Sequence, residues 1–360
     1  MSTPRLEIDL GKIQYNAATL TSRLRAHGVD VTGVTKGSLG SPEIASAYVR
    51  GGVSSLGDSH IENIERMRIA GVNTTMTLLR SPMLSQIEKV IKLTDYSYNS
   101  ELEVVKQISS LALRSGRKHG IVLMVELGDL REGIMPKDLV KSAKSFRDFK
   151  NIYLKGIGTN LACRSGIEPD AANMAQLSEL AIQLESELGI TLDIVSGGNS
   201  ANLDWITSGQ DRGKVNHLRL GESILLGVES LNRNPIAGLH TDAITLVAEV
   251  IESKVKPTKA TGTVGQNAFG KKEQSSDKGL IGQAILAIGR QEVDPEGILP
   301  PPGVEILAAS SDHLIVKSNA KVGSEMRFGL NYSAMLRAMT SPFVERVFSG
   351  ANAVPATVAI

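Results

Sequence analysis

The chain has 360 residues, 41% of them hydrophobic, and a formal net charge of +1. That balance offers no basic field for nucleic acid, and the apolar share is ample for one large domain with a smaller one. There is a single cysteine, Cys163, so no intrachain disulfide can form, and no apolar run approaches the roughly 20 residues of a membrane span.

The opening MSTPRLEIDL lacks an apolar signal core, which together with the lone thiol predicts a reducing cytoplasm. Residues 31–227 then alternate short apolar runs with helix-period segments. Strands are expected at VTGVT (31–35), VSSLG (53–57), TTMTLL (74–79), DYSYN (95–99), GIVLMVEL (120–127), IYLKGIG (152–158), LDIVS (192–196) and VNHLRL (215–220). Between them lie helical patterns such as SPEIASAYVRGG, HIENIERMRIAG, SELEVVKQISSLALRSG and AANMAQLSELAIQLESELG, the last two closing on glycine. Eight strand–helix units in about 200 residues are what a parallel (β/α)8 TIM-type barrel requires, and the count favours it over a doubly wound open sheet.

The pattern changes after LGVESLNRNP (226–235). Strand-like runs follow in AITLVAEVIESKV, GQAILAIG, VEILAAS and HLIVKS, with turn-rich stretches between them and one helix at YSAMLRAMTSP (332–342). The expectation is an α/β barrel over 1–235, a smaller mostly β C-terminal domain over 236–348 and a flexible, small-residue tail over 349–360.

Active sites of such barrels sit at the C-terminal ends of the strands, and the residues capable of chemistry converge there. Lys36 ends the first strand. Arg131 follows the fifth, Asn160 and Cys163 the sixth, and Gly197, Gly198, Asn199 and Ser200 the seventh. Arg219, Gly221 and Glu222 close the eighth. The last two loops, SGGNSA and LGESILLG, offer glycine backbone, a hydroxyl and helix starts, which suit a phosphate, or else serve as ordinary N-caps. A lysine at the end of a buried strand is either an amine nucleophile in a dry or cationic pocket or a snorkelling rim residue. Facing a phosphate site across a barrel mouth, such a lysine suits pyridoxal phosphate, with Arg219 approaching the pyridine nitrogen.

These residues resemble the alanine-racemase-like family of pyridoxal-phosphate enzymes, built from a barrel and a β domain. RLEIDLGKIQYNAATL is similar to that family's opening, VTKGSLG to its cofactor-lysine strand, and VSGGNSANL and LRLGESILLG to its phosphate loops. TKGSLGSPEIA, LGDSHIENIERM, VELGDLREGI, GIGTNLAC, IGRQEVDPEG, ASSDHLIV and LNYSAMLRAMTSPFV resemble the branch that includes ornithine racemase, so the likeness spans residues 5–348. The resemblance implies a two-base amino-acid racemase acting on a small amino-acid substrate, with no membrane partner, working as a head-to-tail homodimer. It implies that Lys36 holds the cofactor and acts as one acid/base and that Arg219 faces the pyridine nitrogen. Ser200, Gly221, Glu222 and the Tyr332 hydroxyl would hold phosphate, beside Asn199, and Arg131 would lie near the substrate carboxylate. Arg290 and Asp312–His313 would act across the dimer.

Two departures stand out. The family's second base is a tyrosine from the β domain, and in VGQNAFG (264–270) Phe269 takes that place, while Asn160 replaces a histidine. Phenylalanine cannot transfer a proton. Cys163, beside Arg164, is the first candidate for the second base and otherwise a small buried hydrophobe. Asp312–His313 is the second candidate and otherwise a solvated turn. Asn267 can orient a group but is no base. Glu292 and Asp294 are candidates for an acidic wall around a substrate ammonium, as for ornithine or lysine, or form a charged turn; broad specificity stays open. Two rival functions are a non-catalytic cofactor-handling protein, which the extra β domain disfavours, and a lyase on the same scaffold. Metal-dependent lyases need ligands in the β domain, where no cysteine and no pair at ligand spacing is found, so no metal site is expected.

Overall fold

The computed structural model describes residues 4–272 and 276–350, and it divides into two compact units. The larger, Leu10–Thr241 among the described residues, contains a closed barrel of eight parallel strands. Counting the N-terminal strand Arg5–Asp9 as β1, the barrel strands are β2 (Asp30–Val34), β3 (Ser55–Asp58), β4 (Met76–Leu78), β5 (Tyr96–Asn99), β6 (His119–Met124), β7 (Ile152–Gly158), β8 (Ile194–Gly198) and β9 (His217–Leu220). Each expected barrel strand is present, and β9 closes on β2 with Thr32 opposite Arg219. The fifth expected run stops at Met124 rather than Leu127, because the Glu126 carboxylate takes the backbone N–H groups of Gly128, Leu130 and Arg131 and turns the chain.

The helices start and stop where local chemistry directs. Ser41 caps Pro42–Arg50 by accepting from the Ile44 N–H, and Asp170 and Asn173 form a reciprocal capping box on Ala171–Leu188. That helix ends on Gly189, at φ +67°. Among the described residues, no helix is long and apolar enough to cross a membrane.

Among the described residues, the smaller unit comprises 4–9 and 242–350. Its strands are β10 (Ile244–Pro257), β11 (Leu280–Leu286), β12 (Ile298–Leu299), β13 (Glu305–Ala309), β14 (Leu314–Lys317), β15 (Glu325–Leu330) and β16 (Glu345–Ser349). They form a sheet in the order β12-β15-β10-β11-β14-β13, with β1 beside β10 and β16. Residues 5–9 therefore depart from the expected division, which gave them to the barrel. They pair antiparallel with β10 and parallel with β16, and Arg5, itself buried, bridges Glu7 and Glu325. The division expected at 235/236 lies instead at 241/242. The expected tail lies outside the described residues beyond Gly350.

Two histidines of the barrel strands, His119 and His217, are buried. Burial pushes His119 down to about 4, and burial followed by the charges of Arg219 and Lys155 pushes His217 down to about 3. Each folded-state value lies below the unfolded one, so the unfolded chain binds the extra proton. Their stabilising effect is complete above about pH 6.5 and is lost as pH falls toward 4 and 3. Urea unfolding at pH 6.5 and 4.5 tests this. Because His119 Nε2 and Ser97 Oγ share a hydrogen bond, His119→Gln, whose amide can donate or accept, keeps a partner for Ser97 and removes the titration. The wild type is expected to lose about 2 kcal/mol more than this variant over that interval. Equal losses would contradict a neutral buried His119.

Candidate active site at the barrel mouth

Lys36 begins a one-turn 3₁₀ helix, Lys36–Ser38, directly after β2. Thr35, just before it, donates from Oγ1 to Asp58 Oδ2 at 2.7 Å. Asp58, at the end of β3, also accepts from His60 N at 2.9 Å and Asn63 Nδ2 at 3.0 Å. Burial pushes the Asp58 carboxyl up, against the pull of these donors. The turn is closed by Leu39 in the left-handed region, φ 54°. Lys36 is thus presented half-buried on a firmly tied turn.

On the adjoining β9, Arg219 is buried and stacked over the Tyr98 ring at 4.9 Å. Its guanidinium donates to Ser196 Oγ, to the Thr159 carbonyl at 2.8 Å and to Asn160 Oδ1 at 3.1 Å. Behind it, His217 bridges Ser196 Oγ (3.1 Å) and Thr32 Oγ1 (2.8 Å), and Thr32 meets Ser55 Oγ at 2.6 Å. A guanidinium with this many acceptors around it is held in one place.

Two helical turns start beside it. The chain leaves β8 through Gly198 at φ +144°, where an added Cβ would run into Asn202 Oδ1. Asn199 caps the turn Ser200–Asn202, accepting from Ala201 N at 2.8 Å. Ser200 Oγ instead reaches Ser223 Oγ at 3.0 Å and accepts from Ser223 N at 3.3 Å. Gly221 is so close to β2 that a Cβ there would lie 3.1 Å from the Val34 carbonyl. The Glu222 carboxyl faces Ser230 and Arg233; burial pushes it up, while Lys36 is among the cations pulling it down. What Glu222 offers an anion is therefore its backbone N–H. An amine, a buried guanidinium, hydroxyls and close-set backbone fit the donor set that a phosphorylated aldehyde cofactor requires.

The loop after β7 completes the cluster. Asn160 Nδ2 lies 2.8 Å from Cys163 Sγ, and Asn199 Nδ2 lies 3.6 Å from the same sulfur. The thiol is exposed rather than buried. Buried Asp129 holds the loop by accepting from the N–H groups of Cys163, Arg164 and Ser165. Leu130 and Ala162, each one residue before a candidate side chain, sit at φ 55° and 58°; side chains rarely adopt that region, and surrounding contacts must hold it. Arg131, on the loop after β6, is paired with Glu132.

The remaining candidates lie in the smaller unit. Arg290 forms a two-pronged ion pair with Glu296, whose carboxyl it holds down to about 2, and its guanidinium stacks on the exposed Phe269 ring at 4.9 Å. Asn267 Oδ1 is committed to the backbone N–H groups of Phe269 and Lys271. Gly289 and Arg290 run against Ser310–Asp312 so closely that a Cβ on Gly289 would strike the Asp312 nitrogen. Asp312 Oδ1 and His313 Nδ1 are 2.9 Å apart on an exposed turn. Glu292 is buried and accepts from Gly289 N, while Asp294 accepts from Ser333. Both acids have a structural use in this unit. Tyr332 opens the helix Tyr332–Thr340, capped by Asn331. Among the described residues, no group of three or more His, Cys, Asp or Glu forms a metal-holding cluster.

Sequence reasoning missed Asp129, Ser196, Ser223 and Tyr98. Tyr98 was findable, since Tyr96 and Tyr98 alternate in register on one strand and both are buried. Asp129 had no such signal, because an aspartate in a turn is commonplace.

The family model for the alanine racemase N-terminal domain matches residues 8–228. The chain is 37% identical over 353 residues to a lysine racemase of Thermotoga maritima, covering 97% of this chain and 99% of that one. It is 36% identical over 350 residues to an ornithine racemase of Acetoanaerobium sticklandii, covering 95% and 99%. Its fold is similar to that of alanine racemase from D-cycloserine-producing Streptomyces lavendulae, with TM-score 0.75, 18% identity and 98% of each chain covered. It is also similar to D-threonine aldolase from Filomicrobium marinum, with TM-score 0.73, 17% identity and coverage of 94% and 88%. At those identities the structural likeness concerns the fold alone.

Proposed function

The chain belongs to the alanine racemase family and is an amino-acid racemase, and from that premise we propose that it inverts the α-carbon of a basic amino acid with pyridoxal phosphate held on Lys36. The observation that carries the cofactor assignment is the meeting, at one barrel mouth, of the Lys36 amine, the fixed Arg219 guanidinium and the Ser200–Ser223 hydroxyl pair. Preference for a side-chain ammonium rests on the relatives named lysine and ornithine racemase.

Bound there, the cofactor supplies an electron sink that makes the substrate's α-proton acidic. Ser200, Gly221 and Glu222, the last two through backbone, would hold the phosphate. Arg219, a permanent cation, would face the ring nitrogen and disfavour a proton there. Lys36 moves the α-proton on one side, and Cys163 gives or takes it on the other. Arg131 receives the substrate carboxylate. A head-to-tail dimer would bring Arg290, Asp312 and His313 of one chain to the other's site.

Incubation of the L- and D-forms of lysine, ornithine and alanine in deuterium oxide, followed by chiral separation and mass analysis, tests the reading. Inversion with deuterium at Cα, fastest for lysine and ornithine, is the expected result. Exchange with retention would leave a single working base. No exchange with any amino acid would turn the reading to cofactor handling.

A further inference from the structure

The thiol at Cys163 is not simply near two amides; the orientation of those amides is forced. The Ala201 N–H can only donate, so it fixes Asn199 Oδ1 as its acceptor at 2.8 Å. Asn199 Nδ2 is thereby turned to the Leu161 carbonyl at 2.9 Å and to Asn160 Oδ1 at 3.3 Å. Arg219 also can only donate, and its Nη2 lies 3.1 Å from that same Asn160 Oδ1. Two donors thus fix the oxygen end of Asn160. Its NH₂ end is left facing Cys163 Sγ at 2.8 Å, with the Asn199 NH₂ at 3.6 Å. The two Asn199 hydrogens are taken by Leu161 and Asn160, so the N–H donor to the sulfur is the Asn160 NH₂, which suits an acceptor sulfur better than an S–H donor.

We propose that Asn160 is a positioning residue for racemisation, which relays the donor-only character of Arg219 to Cys163 and turns an N–H donor to its sulfur. The charged groups facing the sulfur are Arg219 through Asn160, the neighbouring Arg164, whose guanidinium is turned to the Leu130 carbonyl, and Asp129, which accepts from the Cys163 N–H at 3.3 Å. Asp129 opposes negative charge on the sulfur, and the Asn160 donor favours it. The proposal rests on the reading of Cys163 as the second acid/base, and it gives the replacement of a histidine by Asn160 a chemical purpose. An amide offers a fixed acceptor on one edge and a fixed donor on the other, with no proton to lose.

Cys163 is the chain's sole cysteine, so alkylation by iodoacetamide reports on it alone. The experiment compares the full-length wild type with Asn160→Ala and Asn160→Asp, with and without pyridoxal phosphate, at pH 7 and pH 10. Asn160→Ala removes the donor. Asn160→Asp puts an anionic acceptor in its place. At pH 7 alkylation is expected to slow by about tenfold in Asn160→Ala and by more in Asn160→Asp, the scale of one lost hydrogen bond to a charged group. At pH 10, where thiols ionise unaided, the three rates are expected to converge. Equal rates at pH 7, or a slowing of the same factor at both pH values, would overturn the proposal, the latter by showing that only access had changed. In the racemase assay, both variants should lose kcat in both directions alike, since the two enantiomers are equal in energy, with KM held within about threefold. Normal racemisation by Cys163→Ser would remove the acid/base reading, and the relay's catalytic role with it. If Cys163→Ser is impaired while the Asn160 variants alkylate and turn over like wild type, the relay alone fails.

Discussion

Lys36→Ala is expected to abolish racemisation and, with it, the visible absorption of the lysine-bound cofactor. Two functions are lost together. On the proposed reading the amine would be the attachment point and would also carry the α-proton on one side of the substrate. A lost general acid/base alone costs about 10²–10⁴-fold, so the combined loss should exceed about 10⁴-fold. The fold should survive. Lys36 is half-buried at the head of a short turn whose closure uses the Lys36 carbonyl, the Thr35 hydroxyl and the Asp58 carboxylate, none of them the amine. Absorption spectra of the reconstituted variant, beside its thermal unfolding curve, separate the outcomes. A folded Lys36→Ala protein that still binds coloured cofactor and racemises would sink the assignment of Lys36.

Cys163→Ser should behave differently, because only one side of the substrate loses its acid/base. The variant should keep its colour. In deuterium oxide it should still exchange the α-proton of the enantiomer served by Lys36 and fail to exchange the other. Racemisation should fall by roughly 100-fold or more, since a hydroxyl does not ionise in the range where a thiol does. The geometry permits the role: the thiol is exposed, stands within reach of Asn160 and Asn199, and is held by a loop tied to buried Asp129. Phe269 cannot compete for it, as its ring stacks on Arg290 and has no proton to transfer. If Cys163→Ser exchanges both enantiomers at wild-type rates, Asp312 and His313 are the residues to replace next.

The placement of residues at the mouth follows from a strict order of local events. Each barrel strand is short, apolar and followed by a helix, so strand after strand points the same way and every strand-end loop arrives at the same rim. This is why Lys36, Asn160, Cys163, Asn199, Ser200, Arg219, Gly221 and Glu222 were recognisable as one group before any coordinates. The loops after β8 and β9 were equally legible as helix starts, since glycine and serine there have a local meaning. The alternative of ordinary capping holds in part. Asn199 caps its turn, whereas Ser200 reaches a different helix at Ser223.

By itself, then, the sequence determined the barrel, the β character of the C-terminal domain and the set of rim residues, because periodicity, capping and turn chemistry act over a few neighbouring positions. Only the tertiary structure decided what those residues do to one another. Residues 5–9 looked like the barrel's lead-in, yet they complete a sheet through β10 and β16, far along the chain. Glu292, a candidate for the substrate's ammonium, is drawn into the turn at Gly289. The amides around Cys163 come from positions 39 residues apart, and the arginine that orients Asn160 lies 59 residues from it. Such contacts leave no period in the sequence. They depend on which loops barrel closure brings together, and on the rule that in a buried site each donor must find an acceptor.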